Sequence, residues 1–514
     1  MTIGQTMNIS RESMNNYQHA LAVVSQNIAN LNVDGYIKLR ADFATNPTYS
    51  YGDNVYTSIR GLNGAHISKL TSYANNAAAN SARGANSEAQ YYYTLDSIMS
   101  QLGSISNELG DEGLQKTFSE FFTAAQNLSS NPTDPTSRRL YIESAQNVAM
   151  KFNSIAKSLD GLQEQLVGNW QQPATIENSD IYMSVQDFNQ KLERLTELNK
   201  QIVVQGVDNS TGLINERENL LKDMSSYVDL NVEYNKNGSV DVKMGDVKLI
   251  AGAEQQLKLK VVAGDATTPA IMQIEKLDGT LVHSNINDEV SGGQFGAILD
   301  IVNQSDDGFI TISGMRAKID EMANTFATEV NGIQTFVDGT VQAMAIGTDP
   351  ATGETILIPS TEPIFNITNP ITADSISVNQ NIIDNPNLIA TARVDTAVDG
   401  WEHNIGNSDN IVDTAQLRDK KTMSTFGGAN NVTFEGFLTY YSGEVGLQQS
   451  DIKGKFDTAN VVNQSEQTNL QSITGVNLDE ELADMIKFQR GYEASARVFN
   501  TANEIYQLLV TLGE

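Results

Sequence analysis

Residues 20–36, ALAVVSQNIANLNVDGY, carry an apolar helical stripe into a cluster of asparagines and end it at a glycine-tyrosine pair. Followed back to the start of the chain, the stripe keeps a strict four-three spacing, and only Ser10 among its members is polar: Ile3, Met7, Ser10, Met14, Tyr17, Leu21, Val24, Ile28 and Leu31. This spacing is typical of the a and d positions of a coiled coil. A seam this narrow does not cover a globular core, so it predicts a partner helix.

The C-terminal stretch 478–505, LDEELADMIKFQRGYEASARVFNTANEI, has a second seam of the same kind. Three acidic residues in its first turn favour the positive end of the helix dipole. The seam then broadens toward Ile505 and Leu509, and its members are Leu478, Leu482, Met485, Gln489, Tyr492, Ala496, Phe499, Asn503 and Tyr506. We therefore predict that the two chain ends pack against each other as helices.

Polar residues at the seams have two interpretations. Three asparagines at the end of the first seam either bond to adjacent subunits or cap the helix, namely Asn27, Asn30 and Asn32. Gly35 suits a left-handed stop of that helix. In the second seam, Gln489 and Asn503 are either buried polar residues that fix the register or are exposed to solvent.

Burial along one seam offsets less free energy than the ordering of some thirty residues costs. We therefore expect both ends to be disordered in a free monomer. They are expected to become ordered when they pack on each other and on neighbouring copies of the chain.

Composition excludes several classes of protein. The 514 residues carry a net charge of −30, which disfavours nucleic acid as a partner, and they include no cysteine, which excludes disulfides and thiolate chemistry. The N-terminus lacks the basic and apolar regions of a secretory signal, and no apolar run is long enough to cross a membrane. On these grounds alone the chain is predicted to be cytoplasmic.

Hydrophobic periodicity divides the chain into alternating helical and strand segments. The NPTDP stretch at 131–135 breaks two helices, and Asn237-Gly238 predicts a β-hairpin. The predicted class is α+β multidomain, with helical domains assembled from distant segments. The predicted domains are a terminal coiled-coil domain (1–40 with 465–514), a discontinuous helical domain (41–232, 293–338 and 405–464), a β-rich insertion (233–292) and a β-rich or irregular insertion (339–404).

The two end motifs together resemble the signatures of axial proteins of the bacterial flagellum, the rod, hook and hook-associated subunits. Long helical segments between them, FSEFFTAAQNL (118–128) and LINERENLL (213–221), and later SGGQFGAILDIVN (291–303), are similar to the FlgK family of hook-associated proteins. This resemblance implies a structural subunit at the hook-filament junction, a mechanical adaptor on which the filament starts. It also implies a secreted, extracellular location reached through the flagellar type III export apparatus, which replaces the cytoplasmic expectation.

The resemblance further implies several partners: copies of the chain in a tubular ring, hook protein below, a second junction protein and filament above, and an export chaperone on the C-terminal helix. Neither nucleic acid nor membrane insertion is expected. Subunit contacts are expected along both terminal helices, at Ile3, Met7, Met14, Leu21, Val24, Asn27, Ile28, Asn30, Leu31, Gly35, Tyr36, Leu478, Leu482, Met485, Gln489, Arg490, Tyr492, Ala496, Phe499, Ile505 and Leu509.

Enzymatic readings have little support. The four histidines, His19, His66, His283 and His403, lack metal-ligand spacing, no phosphate-binding loop occurs, and the acidic turn 303–308 lacks the calcium-loop pattern. No catalytic residue, metal or cofactor is predicted. Two alternatives remain: a hook or rod subunit that shares the end motifs, and a secreted adhesin or hydrolase with coincidental coiled-coil ends.

Overall fold

The computed structural model describes residues 2–33, 35–45, 65–72, 75–110, 113–207, 210–303, 309–368, 370–425 and 431–512. Within these ranges the chain forms twelve α-helices. They are α1 (Ile3–Ala29), α2 (Asn76–Asn107), α3 (Leu114–Ser130), α4 (Pro135–Val167), α5 (Asp180–Gln205), α6 (Thr211–Ser225), α7 (Gly293–Val302), α8 (Ile312–Gln334), α9 (Gln380–Asp384), α10 (Asp409–Gln416), α11 (Phe434–Thr474) and α12 (Leu478–Leu512).

The described strands form five small antiparallel sheets. In sheet order they are β1 (Leu39–Thr45) with β2 (Ala65–Ser72); β3 (Asn231–Tyr234), β4 (Val240–Met244), β5 (Val247–Ala251) and β6 (Glu254–Gln255); β7 (Leu257–Ala263), β8 (Ala270–Lys276) and β9 (Leu281–His283); β10 (Val337–Asp338), β11 (Val341–Thr348) and β12 (Thr355–Pro359), with β13 (Ala392–Asp395) on β11; and β14 (Met423–Ser424) with β15 (Asn431–Val432). The predicted α+β class is confirmed.

Local sequence signals explain where the elements begin and end. Helix α3 ends before the NPTDP stretch, and α4 begins at Pro135 with the Asp134 carboxylate accepting from the Ser137 amide at 2.9 Å. The hairpin predicted at Asn237-Gly238 joins β3 to β4. Gly238 has a φ of 89°, and a Cβ there would lie 2.5 Å from Val207 Cγ2. Both predictions are confirmed.

The main core lies where the helices of the bundle meet. Phe326 on α8 is at its centre, with ring centroids 4.9 Å from Phe118, 5.2 Å from Phe121 and 5.6 Å from Phe434. All four side chains are buried. The inner faces of the sheets in 231–276 join the same core. The first β insertion therefore packs into the bundle along one face and does not only project from it.

Helix α11 links the bundle to the C-terminal end without interruption. It runs from Phe434 to Thr474, so the predicted domain boundary at 464/465 falls inside a continuous helix. No glycine or proline interrupts this helix near residue 465, so the backbone offers no reason to stop there. The helix runs antiparallel to α2, because Gln449 meets Ser100 while Gln467 meets Ala82.

A buried arginine fastens the second insertion to the bundle. Arg138 on α4 is fully buried, and burial lowers its pKa to about 10. Its guanidinium donates to the carbonyl oxygens of Pro386 at 3.1 Å and Ile389 at 2.9 Å, and to the Thr391 hydroxyl at 3.1 Å. These bonds satisfy the carbonyls of the segment that leads into β13.

Candidate assembly site at the paired chain ends

The two chain ends pack together as an antiparallel helix pair. Tyr17 of α1 lies against Gly491 of α12, and Asn27 bonds to Glu481 about three turns farther along. The predicted interaction between the ends is confirmed. It forms within one chain, whereas the sequence predicted that the ends become ordered only alongside neighbouring copies. Gly491 permits this approach, because a Cβ there would stand 2.6 Å from Tyr17 Cζ.

The apolar core of this pair is small. Its buried members are Ala20, Val24 and Phe488. The Phe488 ring lies 6.3 Å from the ring of Tyr17 and 5.9 Å from that of Phe43 on β1. The β1–β2 hairpin thus closes one side of the helix pair. Asn16 holds the hairpin, since its Nδ2 donates to the Ala65 carbonyl oxygen at 2.6 Å.

Asn27 bonds the N-terminal motif to the C-terminal motif. Its Oδ1 accepts from the Leu39 amide at 3.0 Å and from the Tyr36 hydroxyl at 3.0 Å. Its Nδ2 donates to the Leu39 carbonyl oxygen at 2.9 Å and to Glu481 Oε2 at 3.1 Å. Asn27 is 1% exposed, and these four bonds use its whole amide. We call Asn27, Tyr36, Leu39 and Glu481 the Asn27 cluster.

Burial shifts the two ionisable groups of the Asn27 cluster. Desolvation raises the pKa of the Glu481 carboxyl, and Asp484 and Glu480 raise it further, while the Asn27 bond and Lys38 lower it. Desolvation also raises the pKa of the Tyr36 hydroxyl, with a further contribution from the Glu481 charge. Lys38 Nζ lies 3.2 Å from Glu480, so the cationic partner of this acidic turn is on the opposite chain end.

The predicted interface residues of α1 fall into three exposure classes. Val24 and Asn27 are buried, and Leu31 and Gly35 are exposed. Gly35 has the predicted left-handed conformation, with a φ of 70°. The half-buried class contains Ile3, Met7, Met14, Leu21, Ile28, Asn30 and Tyr36.

The side-chain amide of Asn27 makes all its bonds within the chain. A contact of this residue with an adjacent subunit stays a prediction. Asn30 caps the helix end, with its Nδ2 on the Gln26 carbonyl oxygen at 2.8 Å. Asn32 is exposed.

The predicted interface residues of α12 divide into half-buried and exposed positions. Met485, Tyr492, Ala496 and Phe499 are half-buried. The remaining predicted residues are exposed: Leu478, Leu482, Gln489, Arg490, Ile505 and Leu509. Gln489 is therefore not a buried register residue in the single chain, and Asn503 is only half-buried. Whether the exposed residues form subunit contacts stays a prediction.

Several residues of this site were missed from the sequence. Glu481 was interpreted only as one of three acidic residues at the start of the helix, and Phe488 lies one position from the seam residue Gln489. Phe43 lies outside both seams. The signal that was available is the Gly491-Tyr492 pair, because a glycine inside a helix often marks a close approach.

The segment after α1 connects the paired ends to the bundle. The Lys38 amide donates to the Thr474 carbonyl oxygen at 2.8 Å, and the Ile37 amide to Asn215 Oδ1 at 3.4 Å. A Cβ on Gly35 would lie 1.8 Å from Asn219 Oδ1. A cavity of 390 Å³ lies between this segment, α2, α6 and the end of α11.

The described part of the chain offers no obvious chemical centre. No group of three or more histidine, aspartate or glutamate side chains within it is placed to hold a metal ion. Residues 304–308 of the acidic turn lie outside the described ranges. None of the described helices combines the length and apolarity that crossing a bilayer requires.

Three family models match the chain in sequence order. A model described as flagella basal body rod protein matches residues 7–36, the FlgK helical domain of flagellar hook-associated protein matches 99–339, and the FlgEFG basal body rod C-terminal model matches 467–512. The end models cover α1 and α12, and the central one covers most of the bundle and the first β insertion. The resemblance inferred from the sequence motifs is confirmed.

Full-length relatives and one solved structure agree with this result. Flagellar hook-associated protein 1 of Bacillus subtilis is 25% identical over 98% of this chain and 96% of the relative. The Escherichia coli protein of the same name is 24% identical over 98% and 99%. The fold is similar to the flagellar hook junction protein FlgK from Burkholderia pseudomallei, with a TM-score of 0.58 and 15% identity, over 76% of this chain and all of that one.

Proposed function

From the premise that the chain belongs to the FlgK family of flagellar hook-associated proteins, we propose that it is a structural subunit of the junction between hook and filament. The observation that carries the proposal is the combination of paired ends of the axial type with a FlgK helical domain between them. The hook or rod alternative accounts for the ends alone. No observation favours an adhesin or hydrolase.

The geometry suits growth into a tube. Pairing of α1 with α12 leaves apolar side chains exposed near both ends of α12, with Leu478 41%, Leu482 42%, Ile505 47% and Leu509 54% exposed. Exposed apolar side chains favour contact with further helices. Contacts of this kind between unlike surfaces of identical copies generate helical tubes.

The proposed partners are those expected for a subunit that lies between the hook and the filament. Copies of the chain form the ring, hook protein contacts its lower side, and a second junction protein and filament contact its upper side. Before export, a chaperone covers the C-terminal helix, whose apolar face is exposed when the helix is unpaired. The subunit leaves the cell through the type III export apparatus and acts without catalysis as an extracellular mechanical adaptor.

A gene deletion in the source bacterium tests the proposal. Cells without a junction protein are expected to keep the hook and to release filament subunits into the medium, because the filament has no surface on which to start. Electron microscopy of the cell surface and immunoblots of the medium measure both effects. Complementation with the full chain is expected to restore filaments. Loss of the hook itself would contradict the proposal and favour the hook or rod alternative.

A second experiment uses a fragment of residues 36–469, from which both terminal helices have been removed. This core is expected to stay folded and monomeric because its own apolar core is intact. It is expected not to restore swimming, since it lacks α1 and α12. Restoration by the core would show that the paired ends are not the assembly surface.

A further inference from the structure

We propose that the distal half of α11 (454–474) moves together with the paired ends as one body over a fixed surface made by α2 and α6. We call the boundary between them the slip interface. The inference concerns the single chain, and only its consequence for the junction rests on the proposed function.

Helix α2 is held firmly by the bundle. Asn80 Nδ2 donates to the Val232 carbonyl oxygen at 3.1 Å, and Asn86 Nδ2 to Ser225 Oγ at 3.0 Å. Arg83 is 4% exposed and lies 3.2 Å from Glu218 on α6. Because these bonds reach almost to the first residue of α2, the whole helix is part of the bundle.

Bonds that cross the slip interface are long. Two amide side chains of distal α11 meet α2 at 3.5 Å: Asn463 with Asn86 Oδ1, and Gln467 with the Ala82 carbonyl oxygen. The Ile37 amide reaches Asn215 on α6 at 3.4 Å. Such distances lie at the outer limit of hydrogen bonding, so each bond contributes little.

Packing at the slip interface is sparse beyond the contact of Tyr93 with Phe456, whose ring centroids lie 5.6 Å apart close to Gly454. In its first four turns α2 buries no apolar side chain larger than alanine: Ala78, Ala82, Ala85 and Ala89. Between Gly454 and Gln471, the only α11 residue that is buried is Ala459. The Asn463 Oδ1 atom is buried without a partner, so this register leaves a polar group unsatisfied. The cavity of 390 Å³ lies at the lower end of the same boundary.

Short bonds occur within the moving body and at the root of α11, by which we mean residues 434–453. Lys38 bonds to the Thr474 carbonyl oxygen at 2.8 Å, which ties α11 to the paired ends. At the root, Gln448 exchanges bonds of 2.7 and 2.9 Å with the backbone of Ile310. These bonds are shorter than those that cross the slip interface. The slip interface is therefore the weak boundary between the moving body and the bundle.

Gly454 supplies a flexible point between root and distal half. It follows Ile452, the last large apolar side chain of α11 that is buried. A Cβ on Gly454 would meet no atom within 4 Å, so packing does not require glycine there. Glycine inside a helix is less stable than alanine and bends more easily. A swing of about 10° at this point would move Thr474 by about 5 Å, given a rise of 1.5 Å per residue.

Distances between paired spin labels on the purified full chain test the inference. The chain has no cysteine, so every label site is introduced without background. Exposed Met150 on α4 is paired with Asn469 on distal α11 (M150C/N469C) and, as a control, with Ser81 on α2 (M150C/S81C). Ser81 and Asn469 lie at the same level of the antiparallel pair. We expect a narrow distance distribution for the control and a distribution several ångström broader for the distal α11 pair.

Two substitutions make the test specific. Gly454→Ala is expected to narrow the distal α11 distribution and to slow amide exchange around residue 454 about fivefold, since alanine favours the helix. Gly161→Ala on α4, where a Cβ also meets nothing within 4 Å, is expected to leave both distributions unchanged. Equal widths for the two label pairs in the chain without either substitution would overturn the inference, as would narrowing by Gly161→Ala alone.

A disulfide across the slip interface tests the consequence for the junction. Asn86→Cys with Asn463→Cys joins positions whose side chains now meet at 3.5 Å. In the deletion strain, the oxidised double variant is expected to lower swimming speed several-fold while filaments still form, and reductant is expected to restore it. Full swimming with the bond closed would overturn this consequence. Absence of filaments with the unmodified chain would instead reject the proposed function and leave the label distances to decide the inference.

Discussion

The helical bundle and the paired ends are built from helices of similar length, yet they bury very different cores. In the bundle, Phe326 is surrounded by aromatic rings from α3 and α11 in a core that continues into the first β insertion. In the paired ends, the buried apolar cluster consists of Ala20, Val24 and Phe488. The bundle therefore has enough buried apolar surface to fold alone, whereas the ends depend on one polar cluster and on further contacts.

Under the proposed function, this difference indicates where assembly would be controlled. A subunit that must not polymerise early needs an assembly surface that is incomplete in the single chain. The paired ends fit that requirement, because large apolar side chains of α12 such as Leu482 and Leu509 remain exposed. The bundle buries the phenylalanines of its core, such as Phe118 and Phe326.

The largest expected effect compares one buried phenylalanine from each region. Phe326→Ala is expected to lower the free energy of unfolding by about 3–5 kcal/mol, because it removes the centre of the bundle core. Phe488→Ala is expected to shift the same main transition by less than about 0.5 kcal/mol, because the ends add little to it. Urea unfolding followed by circular dichroism measures both. Equal shifts would mean that the two regions unfold as one unit.

The next effect concerns the polar bond between the ends. Asn27→Asp places a second carboxylate beside Glu481 in a buried site, and breaking a buried bond in this way costs about 3 kcal/mol or more. We expect the variant to fail to restore filaments in the deletion strain while its main unfolding transition is unchanged. The fraction of filamented cells, at equal protein level, is the measurement.

Two variants control for the new charge. Asn30→Asp adds the same charge on the same helix end, where the side chain caps its own helix. It is expected to restore filaments. Adding Glu481→Gln to Asn27→Asp is expected to recover part of the function, since it removes the like charge. Failure of Asn30→Asp would show that any charge at this end is harmful and that the Asn27 cluster is not special.

The smallest effect is a dependence on pH. The raised pKa of Glu481 means that the folded chain binds this proton more tightly than the unfolded chain does. Its contribution to stability is therefore fully present below the ordinary value of 4.5 and is lost as pH rises through the higher folded value. We expect the paired ends to be more stable at pH 5 than at pH 7, and Glu481→Gln to reduce the difference. Helical signal lost on heating before the main transition measures it.

Much of the architecture was predictable because it depends on local signals. Pro135 and the Asn237-Gly238 turn fix the ends of elements whatever surrounds them. The four-three spacing at both ends was enough to predict that they pair. The predicted boundary at 464/465 falls inside α11, since nothing in the sequence of this helix marks the point where it leaves the bundle.

The candidate site was less predictable, because its faces depend on tertiary packing. On α12 the predicted seam contains Leu478 and Leu482, which are exposed, and omits Glu481, which is 8% exposed. Hydrophobicity alone cannot distinguish an apolar face turned toward the same chain from one available to another. Asn27 bonds to an acidic residue 454 positions away, and no local pattern reports such a contact.

Arg138 holds the base of the second insertion through its backbone, while Phe365 of the same insertion packs on Phe326 in the main core. The guanidinium bonds to the backbone carbonyls of 386 and 389, and carbonyls are present whatever side chains those positions carry. The tip built from β11 and β12 has its own small core around Met344 and Leu357. Evolution can therefore remodel that tip, in length or in surface chemistry, without disturbing the base on which it stands.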